Sequence, residues 1–509
     1  MPSIEENLGL KEVVTPKEAK FEKWRNRVGF VLAPLAFLLI YFASFESLKP
    51  EAQNLAAIIA VVIIFWICES LPMPVTALIG AALCVLFKVA DAKTVFAPFA
   101  DPLMFLFIGS FIIARAIFLH DLDKRFAYGV LSLKWIGARP SRILFAFGAV
   151  TAFASAWISN TATTAMMFAI GMSILAFLFK HEEETGIKIN RNYATAMMLI
   201  TSFAASIGGL MTPIGTPPNV IGLGFIRNLL GAEISFFKWM MIGAPIVVVL
   251  YIFLYGYLNF LAPAGVKEIP GSTEMIRREK AELGKWTRGQ KSTIIAFLTA
   301  VFLWVFSGLI ALFAGETSAI YKAINSRLPE AVGAVIGACL LFLLPGNAKG
   351  EKAITWGEAV KIDWGVILLY GGGFALGVLS FQTGLAEEIG KNLTSLLPLS
   401  GEFGLLIASV LVAVLLSETT SNTASANMVV PVVIAISQTQ GINPLIPALG
   451  ATFGASLGFM LPVSTPCNAI VYGSGYIPLM KMVRYGILLD IFGAILIIAI
   501  LSLLTPFLR

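Results

Sequence analysis

Apolar stretches of about 20 residues, the length a helix needs to cross a hydrocarbon layer, recur through this 509-residue chain from position 29 to position 505. They read as spans at 29–45, 54–71, 75–90, 101–119, 193–230, 240–262, 292–313, 330–345, 363–380, 445–478 and 485–505, about eleven in all. Two more apolar segments, 141–180 and 404–437, carry a Ser/Asn/Thr cluster at their centres and read as hairpins that enter and leave by one face. The expected fold is therefore an all-α polytopic membrane protein, about eleven transmembrane helices plus two re-entrant hairpins. Charged residues make up 13% of the chain, against about 25% in soluble domains, which argues against a cytosolic enzyme. Cys68, Cys84, Cys339 and Cys467 lie in or beside apolar segments without CxxC spacing, so neither a disulfide framework nor a metal site is read from them.

The net charge of +6 reads as topology rather than as a nucleic-acid partner. If both hairpins return to their own face, 26 of the 36 Lys and Arg residues fall on one side, in the N-terminal segment 1–28 and in loops 120–142, 180–191, 264–291, 349–361 and 481–484. That side is expected to be cytoplasmic, with the N-terminus there and the C-terminus outside. The first apolar run is long and no small-residue cleavage site follows it, so it reads as a retained span. The linker 264–291 reads as a solvated connector between two halves, which are 101–262 and 363–509. Segments 29–100 and 292–362 hold further scaffold and connecting helices.

The halves repeat one another. Asp101-Pro-Leu-Met-Phe-Leu-Phe-Ile-Gly109 aligns with Asp363-Trp-Gly-Val-Ile-Leu-Leu-Tyr-Gly371, and Ser159-Asn160-Thr161-Ala162 with Ser421-Asn422-Thr423-Ala424, both at an offset of 262. Thr216-Pro217-Pro218-Asn219 aligns with Thr465-Pro466-Cys467-Asn468 at an offset of 249. An odd number of spans separates Asp101 from Asp363, so the second copy is expected to run through the membrane inverted, the sequence pattern of secondary transporters with a site near the midplane.

An irregular tip in hydrocarbon survives only inside protein or against a watery cavity. Ser and Thr are good N-caps, so each tip presents the start of a helix, which is suited to an anion without any cationic side chain. Pro and Gly break spans 193–230 and 445–478. The carbonyls freed there, with Ser, Thr and Asn oxygens, suit hard cations such as sodium. Ser/Thr/Asn can also simply glue helices together, but two tips and two breaks in matched register favour a site. Gly450, Gly454 and Gly458 read as a packing stripe. Among the intramembrane charges, Glu418 is read as orienting the second tip through hydrogen bonds, with a proton-carrying role as the alternative, Arg115 and Lys88 as snorkelling, and Asp490 finds no role. His120 and His181 fall in loops. No HExxH motif, no nucleophile with a base and no facing aspartates suggest an enzyme, and a channel is the other rival.

These paired motifs, SNT with GTPPN and SNT with STPCN, together with the ending NAIVYGSGYI, resemble the divalent anion:sodium symporter family of di- and tricarboxylate transporters over nearly the whole chain. The resemblance implies a homodimer in the cell membrane, a scaffold part at its interface, and a transport part that moves as an elevator carrying succinate, malate, fumarate or 2-oxoglutarate. It implies that Ser159, Asn160, Thr161, Thr216, Pro217, Ser421, Asn422, Thr423, Thr465 and Pro466 meet the dicarboxylate. It also implies one sodium at Ser155, Ser159, Asn160 and Gly215, and a second at Ser417, Thr420, Asn422 and Ser464. Ser464 stands where the family often has a smaller residue, and Cys467 replaces the usual second Pro. The resemblance favours co-transported Na+, with sodium-independent exchange of one dicarboxylate for another as the alternative.

Overall fold

The computed structural model describes residues 16–186, 188–315, 317–396 and 401–508. The first 15 residues of the expected cytoplasmic segment lie outside them. Among the described residues there is no β-strand, only an isolated antiparallel bridge between Pro345 and Lys352. Nine helices among the described residues are long and apolar enough to cross a membrane, or ten if the bent pair Ala319–Arg327 and Glu330–Leu343 counts as one span. Two of the expected spans are short helices of 14 residues, Met73–Leu86 and Glu330–Leu343, and spans 193–230 and 445–478 are broken where Pro and Gly interrupt them.

The elements follow one order twice. The first series is Met73–Leu86, Pro102–Leu119, Leu122–Leu131, Pro140–Ser155, Asn160–Thr185, Arg191–Gly209, Pro217–Leu230 and Phe236–Leu261. The second is Glu330–Leu343, Trp364–Gln382, Leu385–Leu396, Gly401–Thr419, Asn422–Thr439, Leu445–Gly454, Pro466–Tyr472 and Leu479–Leu508. The matched Asp residues have the same job: Asp101 caps Pro102–Leu119 through the Leu103 N–H (2.8 Å), and Asp363 caps Trp364–Gln382 through the Val366 N–H (3.3 Å).

The series exchange partners. Arg191–Gly209 packs on Pro466–Tyr472, while Leu445–Gly454 packs on Pro217–Leu230; likewise Met73–Leu86 packs on Trp364–Gln382, and Glu330–Leu343 on Pro102–Leu119. Each broken span therefore continues against the other series, and one large core cluster runs from Leu103 to Leu501.

Leu122–Leu131 and Leu385–Leu396 occupy equivalent places and escape a hydropathy reading, being only 10 and 12 residues long and dotted with charges. The linker is also more than solvated surface. Its helix Ser272–Glu282 buries Met275 and Ile276 and packs on Leu122–Leu131, where the Tyr128 hydroxyl donates to Glu279 (3.4 Å) and Lys280 to Ser132 (2.9 Å).

The cationic loops gather at one end of the bundle. The Ile269 N–H donates to Ala138 O (2.8 Å), the Asn190 N–H to Ala264 O (2.9 Å), Gln290 to His120 O (2.9 Å) and Lys481 to Asn192 (2.6 Å). His120, expected as a solvated loop residue, is held by Ala353 O at 2.7 Å.

At this end Asp123 is 6% exposed, and its Oδ1 finds no partner. Burial pushes its carboxyl up to about 7, from an ordinary value of about 3.9. Between those values the fold keeps a proton that the unfolded chain releases, so this group favours the folded state in acid and loses that advantage as the pH rises through about 7. Asp123→Asn removes the penalty at high pH. The variant's melting temperature minus that of the parent, measured in detergent, is expected to rise by several degrees from pH 5 to pH 8. A difference that stays flat with pH contradicts this reading.

Candidate functional site

The two hairpins turn at equivalent residues. Pro140–Ser155 and Asn160–Thr185 form the first, Gly401–Thr419 and Asn422–Thr439 the second. Ser159 caps its second arm by accepting from the Ala162 N–H (3.4 Å), and Ser421 does so from the Ala424 N–H (3.2 Å). The first N–H groups of both arms have no intrahelical acceptor, and the partial positive charge of each helix start points at the tip.

The breaks are stapled by the last residue of each motif. The Asn219 amide donates to Gly209 O (2.9 Å) and Thr212 O (2.8 Å), and the Asn468 amide to Gly458 O (3.0 Å) and Leu461 O (2.9 Å). These are the same bonds displaced by one repeat. Both Asn residues belong to the sequence motif, yet their role as staples is legible only once the carbonyls freed by the breaks are located. Thr216 and Thr465 then start the helices Pro217–Leu230 and Pro466–Tyr472.

At the first cation position one end of the Asn160 amide lies 3.1 Å from Gly215 O, 3.1 Å from Ala205 O and 2.7 Å from Ser155 Oγ, and only with its nitrogen turned to that end can it donate to the two carbonyls. A Cβ on Gly209 would come within 2.3 Å of the Asn160 side chain, so glycine is what lets the broken helix approach the tip. At the second position Ser417 Oγ donates to the Asn422 side chain and to Ala455 O, both at 2.8 Å, and the Asn422 amide donates to Ser456 O (3.4 Å). Each position gathers neutral oxygen atoms, which fit a sodium ion.

Two residues expected at the second position have their hydroxyls engaged elsewhere. Thr420 donates to Leu416 O (2.6 Å), and Ser464 donates to a Glu418 carboxylate oxygen (2.6 Å). Here the halves differ. In the first, the Thr212 hydroxyl donates to Ala156 O. In the second, Glu418 occupies the place of Ala156, and its carboxylate accepts from the N–H groups of Met460 (2.9 Å) and Leu461 (3.3 Å). Glu418 thus ties its arm to the break rather than shaping the tip itself.

All ten residues expected to meet a dicarboxylate line a single cavity of about 1980 Å³. Gly215 and Ser464 line it too, whereas Ser155, Ser417 and Thr420 sit behind the lining. The cavity reaches the cationic end, where Glu22, Arg25, Lys124, Glu279 and Lys361 join its wall.

Every Lys and Arg on that wall is paired: Arg25 with Glu69 (2.5 Å), Arg115 with Glu358 (2.6 Å), Lys124 with Asp121 (2.6 Å) and Lys361 with Glu358 (2.5 Å). Lys361 and Arg115 together hold the Glu358 carboxyl below its usual range. Arg115 is accordingly an ion-pair residue rather than a snorkelling one. Arg227, overlooked among the intramembrane charges, bonds both oxygens of Asp101 at 2.6 Å. Of the glycine stripe, Gly450 and Gly454 do serve packing against Leu406–Ala413, but Gly458 lies past the helix end, in the break beside Ser417, Asn422 and Ser464.

Solved structures with a similar fold include the Alcanivorax borkumensis YdaH transporter (12% identity, TM-score 0.55, 96% of this chain and 98% of that one). Neisseria gonorrhoeae MtrF, described among antimetabolite efflux pumps, is another (14% identity, TM-score 0.52, 82% and 83%). At these identities the likeness concerns the fold alone. Closer in sequence are the sodium-dependent dicarboxylate transporters SdcS of Staphylococcus saprophyticus (33% identity, 96% of this chain and 93% of that protein) and of Staphylococcus aureus (33%, 94% and 91%). Residues 22–508 match the family described as the sodium:sulfate symporter transmembrane region. With its whole helical core inside that match, the chain belongs to the sodium:sulfate symporter family of membrane transporters.

Proposed function

We propose that this protein is a sodium-coupled carrier of C4 and C5 dicarboxylates, succinate, malate, fumarate and 2-oxoglutarate among them, across the cytoplasmic membrane. The observation that carries the reading is the cavity. Two helix starts and a ring of Ser, Thr and Asn side chains face it, and each cation on its wall is already paired with a carboxylate. Such a surface can bind two carboxylates through N–H and hydroxyl donors but cannot neutralise them. The names of the staphylococcal relatives point the same way.

Carboxylate groups would meet Ser159, Asn160, Thr161 and Thr216 on one side, and Ser421, Asn422, Thr423 and Thr465 on the other, beside Pro217 and Pro466. Sodium ions would sit behind them, the first with Ser155, Ser159, Asn160 and Gly215, the second with Ser417, Asn422 and the carbonyls of Ala455 and Ser456, next to Thr420 and Ser464. Because Asn160 and Asn422 belong to both sets, an empty cation position leaves the anion's own ligands unfixed. That sharing is the physical basis of coupling.

The two series of helices are read as an inverted repeat. The hairpins, broken spans and last span form the transport part, which moves as an elevator against a scaffold at a homodimer interface. With the cationic end on the cytoplasmic side, the cavity opens inward in this conformation. The last helix starts at that end and rises about 45 Å over 30 residues, which carries the C-terminus to the outer face.

Ligand-induced stabilisation tests the site. Succinate is expected to raise the melting temperature of the purified protein by several degrees in sodium buffer and not in potassium buffer. Equal stabilisation in both buffers would count against linked sites.

A further inference from the structure

Met73 opens the helix Met73–Leu86, in the segment 29–100 that is read as scaffold, and its backbone is held from several sides. Pro72 and Pro74, whose rings fix φ, flank it, and the Trp66 indole donates to its carbonyl (3.3 Å). From this mount the side chain reaches the second tip. The Ser421 hydroxyl donates to Met73 Sδ at 3.2 Å, and both residues line the cavity. The arm that follows the tip docks on the same part: Ala424 is buried in an apolar cluster with Leu55, Ala77 and Leu376, and Met73 and Met428 pack against that cluster.

The other series repeats the mount and uses it differently. Glu330 opens the matching helix, and the Trp304 indole donates to its carbonyl (2.9 Å) as Trp66 does to that of Met73. The Glu330 carboxylate, however, accepts from the Phe236 N–H (3.1 Å) and serves neither tip. Among the described residues Ser159 has no scaffold acceptor of this kind; its hydroxyl caps its own arm through the Ala162 N–H and lines the cavity. The second tip alone is thereby hydrogen-bonded to the scaffold.

A hydroxyl has one hydrogen to donate, and a thioether is a weak acceptor for it. A carboxylate forms charge-assisted bonds about twice as strong as neutral ones. An anion that uses Ser421 therefore takes the hydroxyl from the sulfur, and the sulfur regains it when the anion leaves. We propose that Met73 is a positioning residue that holds the second tip on the scaffold until a dicarboxylate displaces it. The weak acceptor keeps the hydroxyl oriented and still yields to the substrate. Loading thus removes the hydrogen bond that joins this tip to the part against which it has to move. The proposal rests on the reading of Ser421 as a dicarboxylate ligand.

The test uses the purified full chain in sodium buffer with succinate as the probe, and compares Met73→Leu with Met73→Gln. Leucine keeps the bulk and removes the acceptor, so Met73→Leu is expected to bind succinate about threefold more tightly, the low end of what one hydrogen bond contributes. Glutamine has a similar length and a stronger acceptor, so Met73→Gln is expected to bind about threefold more weakly, or worse. A side chain that only packs predicts equal or weaker binding in both variants, so the opposite shifts separate the two roles. Methyl spectra of protein labelled at its 16 methionines read the contact itself, the Met73 signal being the one lost in Met73→Leu. In the parent, succinate is expected to move that signal toward the position it takes in Ser421→Ala. Unchanged or weaker binding by Met73→Leu overturns the proposal, as does binding by Met73→Gln no weaker than the parent's, or a Met73 signal that bound succinate leaves in place. If succinate neither binds the parent nor moves any of its methionine signals, the reading of the site fails; the contact is then upheld or refuted by the Ser421→Ala spectrum alone.

Discussion

Succinate uptake by Asn160→Ala and by Asn422→Ala is expected to fall at least about a hundredfold, while the folded protein remains. Asn422 is bonded to Ser417 (2.8 Å) and to Ser456 O (3.4 Å) and lines the cavity; Asn160 has the matching position in the other half. On the proposed mechanism alanine removes, at one stroke, a donor to a carboxylate and a ligand to a sodium ion. Hydrogen bonds to charged groups contribute about 1.5–3 kcal/mol each. Losing one to the anion and one contact to the cation therefore amounts to about 3 kcal/mol or more, and a tenfold change corresponds to about 1.4 kcal/mol. Neither side chain is deeply buried, so melting temperature and elution volume serve as controls for folding. Normal uptake by both variants refutes the site.

The site was more legible in the sequence than its surroundings. Ser159-Asn160-Thr161 and Ser421-Asn422-Thr423 announce themselves because polar residues interrupt apolar runs where hydrocarbon would penalise them, and the structure brings all six to one cavity. The breaks were legible for the same reason, since Pro217 and Pro466 cannot continue a helix. Hydropathy did not reveal Leu122–Leu131 and Leu385–Leu396, whose charges and brevity look like loops. Nor could it reveal the pairing of Asp101 with Arg227, or of Arg115 with Glu358, across 126 and 243 positions of sequence. Such partners are set by the packing of helices far apart in the chain, which no local pattern encodes. The hydroxyl bonds of Thr420 and Ser464 belong to the same class: residue type suggested oxygen ligands, but not that the two hydroxyls donate to the Leu416 carbonyl and the Glu418 carboxylate.

The second large effect concerns the driving ion. Carrying a dianion toward a negative interior costs about 2.3 kcal/mol per charge for each 100 mV, so nearly 5 kcal/mol for two charges. Since the wall cations are all paired, that charge must be offset by something that travels with the substrate or leaves in exchange for it. The two oxygen-lined positions beside Asn160 and Asn422 favour travelling sodium. Replacing external sodium by potassium is accordingly expected to reduce uptake to background.

Labelled succinate uptake into proteoliposomes decides between the two modes, when empty vesicles under an inward sodium gradient are compared with vesicles preloaded with dicarboxylate in sodium-free buffer. Sodium coupling predicts accumulation in the empty vesicles, and none in the preloaded ones. Uptake confined to the preloaded vesicles, whatever the sodium gradient, would contradict it and establish exchange.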